Sequence, residues 1–164
     1  MLAGSGQPVV SNQYLTFALA GELFAIPILA VQEIRGWETV SRTPRAPEHV
    51  LGVMNLRGVV IPIVDLRVRL GLPAAERSAT SVVIVVQVEI RAALLVTMGC
   101  LVDAVSDVVS LAVESQRPTP SACGPVDSHF LAGMATGDKQ LIMLLDLVRL
   151  VESSVADGLS SFAG

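Results

Sequence analysis

The chain is poor in most residue types that mark a binding or catalytic chemistry. It has one lysine, Lys139, and a net charge of −4. Nucleic-acid binding needs a cationic face, so that class of partner is excluded. Aromatic residues make up 4% of the sequence, too few for the stacking platforms of RNA-reading sheets. Two cysteines, Cys100 and Cys123, form neither a disulfide framework nor a metal set, and Cys100 sits in an apolar run that suits a core position. The two histidines, His49 and His129, lack a metal-ligating partner at helical or hairpin spacing. Long apolar runs are also missing. The longest stretch free of charged or strongly polar residues, around Ala92 to Val102, lies between Arg91 and Asp103 and is well short of the ~20 residues of a spanning helix. Met1 to Val10 has no basic segment followed by an apolar one, so neither a secretory signal nor direct membrane insertion is expected, and the expected compartment is the cytoplasm.

What is abundant is Val, Ile and Leu, in short runs broken by Gly and Pro. The apolar share is 52% and the mean hydropathy +0.64. Tyr14–Leu19 and Phe24–Ile28 read as strands around an Ala20-Gly21-Glu22 turn, with Pro27 at an edge or bulge. Val50–Leu56 and Val59–Leu66 flank a tight tip at Arg57-Gly58. Thr80–Glu89 holds a continuous apolar run, Val82–Val86, expected of a strand buried on both faces. Another strand follows from Ala92. Thr43–Pro47 and Pro118–Asp127 read as loops, and Leu144, Leu147, Val148 and Val151 as one face of a short helix. The Ser/Ala/Gly-rich end is expected to be flexible.

An internal repeat underlies this pattern. Leu51-Gly52-Val53-Met54 recurs as Ala132-Gly133-Met134, and Ile61–Leu66 aligns without gaps with Ile142–Leu147. Upstream, Ala30–Ile34 resembles Ala104–Val108. The matched Gly and Asp positions are not apolar, which argues against chance. Two units of roughly 75 to 80 residues would each be marginal alone, but two packed face to face would absorb the high apolar content. Asp65 and Asp146 fall at equivalent positions, where capping of the following segment is the expected role.

A search for chemistry finds no phosphate-binding glycine loop, nucleophile elbow or paired acids. Glu33, Asp103 and Asp107 read as solvated charges near strand ends. Trp37, the sole tryptophan, reads as packing against its own lobe. Arg57, at a glycine-flanked tip, suits either an exposed turn or a guanidinium anchor on a partner.

The runs Val31–Gly36, Gly52–Arg67, Leu101–Val108 and Leu131–Met134 resemble the CheW family of chemotaxis coupling proteins, in the family's order, over about Tyr14 to Val151. The resemblance implies an all-β fold: two SH3-like five-stranded β-barrel lobes packed on a shared hydrophobic core, with a short C-terminal helix. It implies a flexible N-terminus over 1–12, a CheW-like domain over 13–152 whose N-terminal strand joins the C-terminal lobe, and a flexible tail over 153–164. It further implies a non-enzymatic adaptor with no cofactor, linking the cytoplasmic tip of chemoreceptors (methyl-accepting chemotaxis proteins) to the regulatory domain of the histidine kinase CheA in receptor arrays. The family's groove glutamate and arginine map onto Glu33 and Arg57, with Val31, Ile34, Gly52, Val53 and Asn55 as neighbours. No kinase-contacting residue is assigned. One departure stands out: about five surplus residues within Ala92–Cys100, which would lengthen a hairpin, make a bulge or disturb the second barrel's edge. Two other readings keep some weight: a small-molecule-binding barrel, and a CheW-like module in a non-flagellar pathway.

Overall fold

The computed structural model describes residues 12–37, 47–90, 94–111, 116–117, 128–137 and 140–156. In chain order it contains β1 (Gln13–Leu19), β2 (Glu22–Pro27), β3 (Val31–Gly36), β4 (Val50–Leu56), β5 (Val59–Asp65) and α1 (Leu66–Arg69). There follow β6 (Val82–Ile90), β7 (Leu94–Val102), β8 (Ala104–Ser110), β9 (Gln116–Arg117), β10 (Leu131–Gly137), β11 (Gln140–Leu145) and α2 (Leu147–Ala156). Single 3-10 turns occupy Ile28–Ala30 and Ser128–Phe130. The Pro118–Asp127 loop and most of Thr43–Pro47 lie outside the described residues.

The strands form two sheets, ordered β8-β1-β2-β11-β10-β9 and β3-β6-β7-β5-β4. Each has five strands of six to nine residues, and β9 adds a two-residue sixth to the first. The chain starts in one sheet with β1 and β2, crosses at Ile28–Ala30 to build the other, and returns at Asp103. The all-β, two-lobed architecture with a short C-terminal helix is therefore the one expected from the sequence.

The repeat explains the shared design. Read against each other, the two orders match strand for strand: β8 with β3, β1 with β6, β2 with β7, β11 with β5 and β10 with β4. Gly52 and Gly133, 81 positions apart, each sit where one extra residue bulges out of the hairpin ladder. Gly52 has φ 151°, a backbone that glycine alone adopts without strain. Asp65 and Asp146, at the same spacing, both cap the helix that follows. Each Oδ1 accepts a backbone N–H at 3.0 Å, from Arg67 and Arg149 respectively.

Burial follows the alternation of each strand. In β6, Val83 and Val85 join Met54, Leu56, Ile61, Ile63 and Leu101 inside one lobe. Ile84 and Val86 point the other way, into a larger cluster with Phe17, Phe24, Leu66, Met98 and Leu150 that both sheets share. A strand with apolar partners on both faces needs a continuous apolar run, and Val83–Val86 supplies one. A third, smaller cluster of Ala25, Leu111, Ala135, Ile142 and Leu144 fills the other lobe.

Two sequence readings need adjusting. In α2 the buried face is Leu147, Leu150, Val151 and Ser154, while Val148 is exposed and Leu144 belongs to β11. The helix also runs past residue 152 to Ala156, because Ser154 is buried and its hydroxyl donates to the Leu150 carbonyl at 3.1 Å. The surplus near Ala92 resolves as a longer hairpin. β6 and β7 pair from Val82↔Val102 to Ile90↔Leu94 without a register shift. From the matched pair Val86↔Met98 the hairpin is five residues longer than its β1–β2 counterpart from Phe17↔Phe24.

Candidate functional site

Glu33 and Arg57, 24 positions apart, meet across one lobe. Arg57 NH1 lies 2.7 Å from Glu33 Oε2, and Arg35 NH1 lies 3.3 Å from Glu33 Oε1. The tip that carries Arg57 is a two-residue hairpin turn with Leu56 paired to Val59. Both central residues have positive φ, 52° at Arg57 and 85° at Gly58, the signature of the turn whose twist matches the flanking strands. An arginine in that conformation is uncommon, and such strain concentrates at binding sites. Asn55 holds the turn by accepting the Gly58 N–H on its side-chain oxygen at 2.9 Å. Gly58 tolerates the backbone that the turn demands, with open space where a Cβ would sit.

The electrostatics of the cluster are set by Glu33. Desolvation alone would raise its carboxyl pKa. Hydrogen bonds from Arg57 and Arg35, and their charges, outweigh it and hold the carboxyl below the usual range. Arg57 itself is 77% exposed, so one face of its guanidinium stays free for an external acceptor.

The other predicted residues are placed as follows. Val31 alternates with Glu33 and Arg35 on the half-buried side of the edge strand β3, and Ile34 faces outward, 44% exposed. Val53 is half-buried and Gly52 buried on β4, at the opposite edge of the same sheet. The structure thus pairs Glu33 with Arg57, on a turn that Asn55 holds, with Val31 and Ile34 on the same strand as Glu33. Gly52 acts through the bulge and makes no such contact.

A groove of about 500 Å³ opens between the lobes, lined among others by Leu29, Ala30, Gln87, Val88, Leu147 and Val148. None of the seven predicted residues lines it, but it ends at Ala30, and β3 runs on from there to Glu33 and Ile34. Leu29 and Val148, 66% and 42% exposed, are its apolar contributions that sequence reasoning missed. The lengthened hairpin supplies Gln87, Val88 and Glu89 to its wall. A second groove, of about 440 Å³, lies over β8 and contains Asp107, the repeat counterpart of Glu33. There Asp107 Oδ1 accepts the N–H of its own neighbour Val108 at 2.8 Å.

Asp103 is not a rim charge. Arg67 donates to both of its oxygens, Nε to Oδ1 at 2.8 Å and NH2 to Oδ2 at 2.5 Å, and Ala20 N–H donates to Oδ2 at 2.9 Å. Partial burial would raise the Asp103 carboxyl, but these donors hold it below its usual range. Trp37 packs against its own lobe's cluster, with the Arg77 guanidinium 4.1 Å from its ring. Among the described residues no group of His, Cys, Asp or Glu is placed to hold a metal ion, and no helix is long and apolar enough to cross a membrane.

Two pseudo-symmetric SH3-like lobes, an apolar groove between them and an arginine-capped acid on one lobe define a class: a β-barrel scaffold that works through its surfaces. The comparisons with known proteins agree. The CheW-like domain family matches residues 13–155. A chemotaxis protein CheW from Rhizobium meliloti is 40% identical over 136 residues, covering 83% of this chain and 84% of its own. One from Klebsiella aerogenes is 38% identical over 144 residues, covering 88% and 84%. The crystal structure of the scaffolding protein TtCheW from Thermoanaerobacter tengcongensis superposes with a TM-score of 0.73 at 31% identity, covering 87% of this chain and 88% of that one. The chain belongs to the CheW family, and its role is that of a non-enzymatic chemotaxis scaffold.

Proposed function

We propose that this chain couples chemoreceptors to the histidine kinase CheA, on the cytoplasmic face of receptor arrays, with the receptor tip held in the groove between the lobes. The observation that supports this reading is the Glu33–Arg57 pair at 2.7 Å, with Glu33 on the strand that runs on from Ala30, a residue lining an apolar groove whose walls come from both lobes. Glu33, Arg57, Val31, Ile34, Gly52, Val53 and Asn55 form or support the docking face, and Leu29 and Val148 extend it. An amphipathic receptor helix would lay its apolar side on Leu29, Val88 and Val148 and offer an acidic group to the free face of Arg57. The module that does this is the CheW-like domain expected over 13–152. CheA, through its regulatory domain, engages a surface away from this groove.

The mechanism is scaffolding. A receptor conformation that the groove binds more tightly shifts the kinase bound to the same adaptor, with no bond made or broken in this chain. Individual exposed ion pairs are weak, so affinity comes from the apolar groove and from many copies acting together.

The test is binding of the purified protein to CheA and, separately, to a receptor signalling fragment, for wild type and Arg57→Glu. Charge reversal places two acids side by side, so receptor affinity should fall by about tenfold or more while kinase binding holds. Equal receptor binding by both proteins would remove Arg57 from the docking face. A folded wild type that binds neither partner would overturn the adaptor reading.

A further inference from the structure

The two crossovers between the lobes are related by the internal repeat, yet they are built in opposite ways. At the first, the 3-10 turn Ile28–Ala30 carries Leu29, which faces Val148 across the apolar groove. At the second, the matching positions are Asp103 and Arg67. Here the chain is tied down from both lobes. Arg67, on α1 after β5, grips both oxygens of Asp103 and also donates to the Pro73 carbonyl at 3.1 Å. Ala20, in the β1–β2 turn of the other lobe, donates to the same carboxylate. The Asp103 backbone N–H donates to the Ala18 carbonyl at 3.1 Å, and Thr80 Oγ1 donates to the Asp103 carbonyl at 2.9 Å. Two residues further along α1, the Arg69 guanidinium sits 4.9 Å from the Phe130 ring, which belongs to the other lobe.

We propose that the Arg67–Asp103 clasp is a positioning pair: by pinning the lobes at one crossover it sets the width of the groove at the other. The shared core holds the lobes together through apolar contact, which is non-directional. A bidentate guanidinium–carboxylate pair fixes both distance and orientation. Fixing orientation as well as distance removes the relative rotation of the lobes that would otherwise open or close the Leu29–Val148 groove. The inference rests on that groove being the receptor-docking face.

The test uses Asp103→Asn, which keeps an acceptor for Ala20 but removes the charge, and Arg67→Lys, which keeps the charge but loses the fork. Spin labels at Gln32→Cys on β3 and Thr136→Cys on β10, both exposed and in different lobes, report the inter-lobe distance in a Cys123→Ser background with Cys100 buried. Both variants should broaden or shift the distance distribution of the folded protein and weaken receptor-fragment binding roughly fivefold or more. Unchanged distances and affinity, with only a lowered melting temperature, would make the clasp a plain stabiliser and overturn the proposal. Altered distances together with a wild type that does not bind receptor would keep the clasp and reject the docking face.

Discussion

Gly99 offers the sharpest test of how the lobe between β3 and β7 is packed. It lies on β7, paired with Ile63 of β5 on one side and Val85 of β6 on the other. A Cβ added there would stand 2.5 Å from Ile63 Cδ1 and 2.8 Å from Val83 Cγ1, both on fully buried side chains. Neither neighbour has space to move into, so Gly99→Ala should destabilise by about 1–3 kcal/mol, the usual range for overpacking. For a chain of this size that is a fall in Tm of roughly 2–12 °C. Gly36→Ala is the matched control. Nothing lies within 4 Å of its added Cβ, and its φ is not positive, so the same substitution should be neutral or stabilise by up to about 1 kcal/mol. Ile63→Val deletes the Cδ1 that clashes and alone costs about 0.5–1.5 kcal/mol. Combined with Gly99→Ala it should cost less than the two single changes together, a coupling of at least about 0.5 kcal/mol. Urea unfolding with an unchanged m-value measures all four proteins. Strict additivity, or equal effects at Gly36 and Gly99, would refute the packing described.

Three further outcomes are expected. Asp103 and Glu33 both have carboxyls held below their usual range, so their contribution is present above the unfolded-state pKa of about 4 and is lost as pH falls through the folded values. Stability should therefore begin to fall below about pH 5 and go on falling as pH drops below about 4 toward the folded values, and fall less steeply in Asp103→Asn; parallel curves would remove Asp103 from the account. Asp65→Ala and Asp146→Ala each remove a helix cap and should each lose about 0.5–2 kcal/mol in chemical denaturation. Burial pushes the Cys100 thiol up to about 12, so in a Cys123→Ser protein thiol reagents at pH 8 should label only as fast as the protein unfolds.

Residues whose roles are local, or repeated, were readable in the sequence. Asp65 and Asp146 announced themselves as caps because both are preceded in register by the same apolar pattern, Ile61–Val64 and Ile142–Leu145. The Val82–Val86 run revealed a strand covered on both faces. What could not be read depends on residues far apart in the chain. Asp103 reads as a solvated end charge because Arg67, the group that neutralises it, lies 36 positions away. Leu29 and Val148 read as ordinary apolar residues, and Val148 as part of a buried helix face, because sequence carries no sign of which apolar side chains a groove leaves uncovered. Glu33 and Arg57 entered the site through the family resemblance; their separation of 24 positions would not have paired them otherwise. The lengthened hairpin was visible as surplus residues, but its contribution of Gln87–Glu89 to the groove wall appears only once both lobes are assembled.

The central claim is that one copy of this chain holds receptor and kinase at the same time. Sedimentation velocity of a receptor signalling fragment and CheA, with and without the protein, tests it directly. The account predicts a complex of all three that forms only when the protein is present and that loses the receptor fragment, but keeps CheA, with Arg57→Glu. Receptor and kinase that compete for the protein, so that each displaces the other, would contradict it.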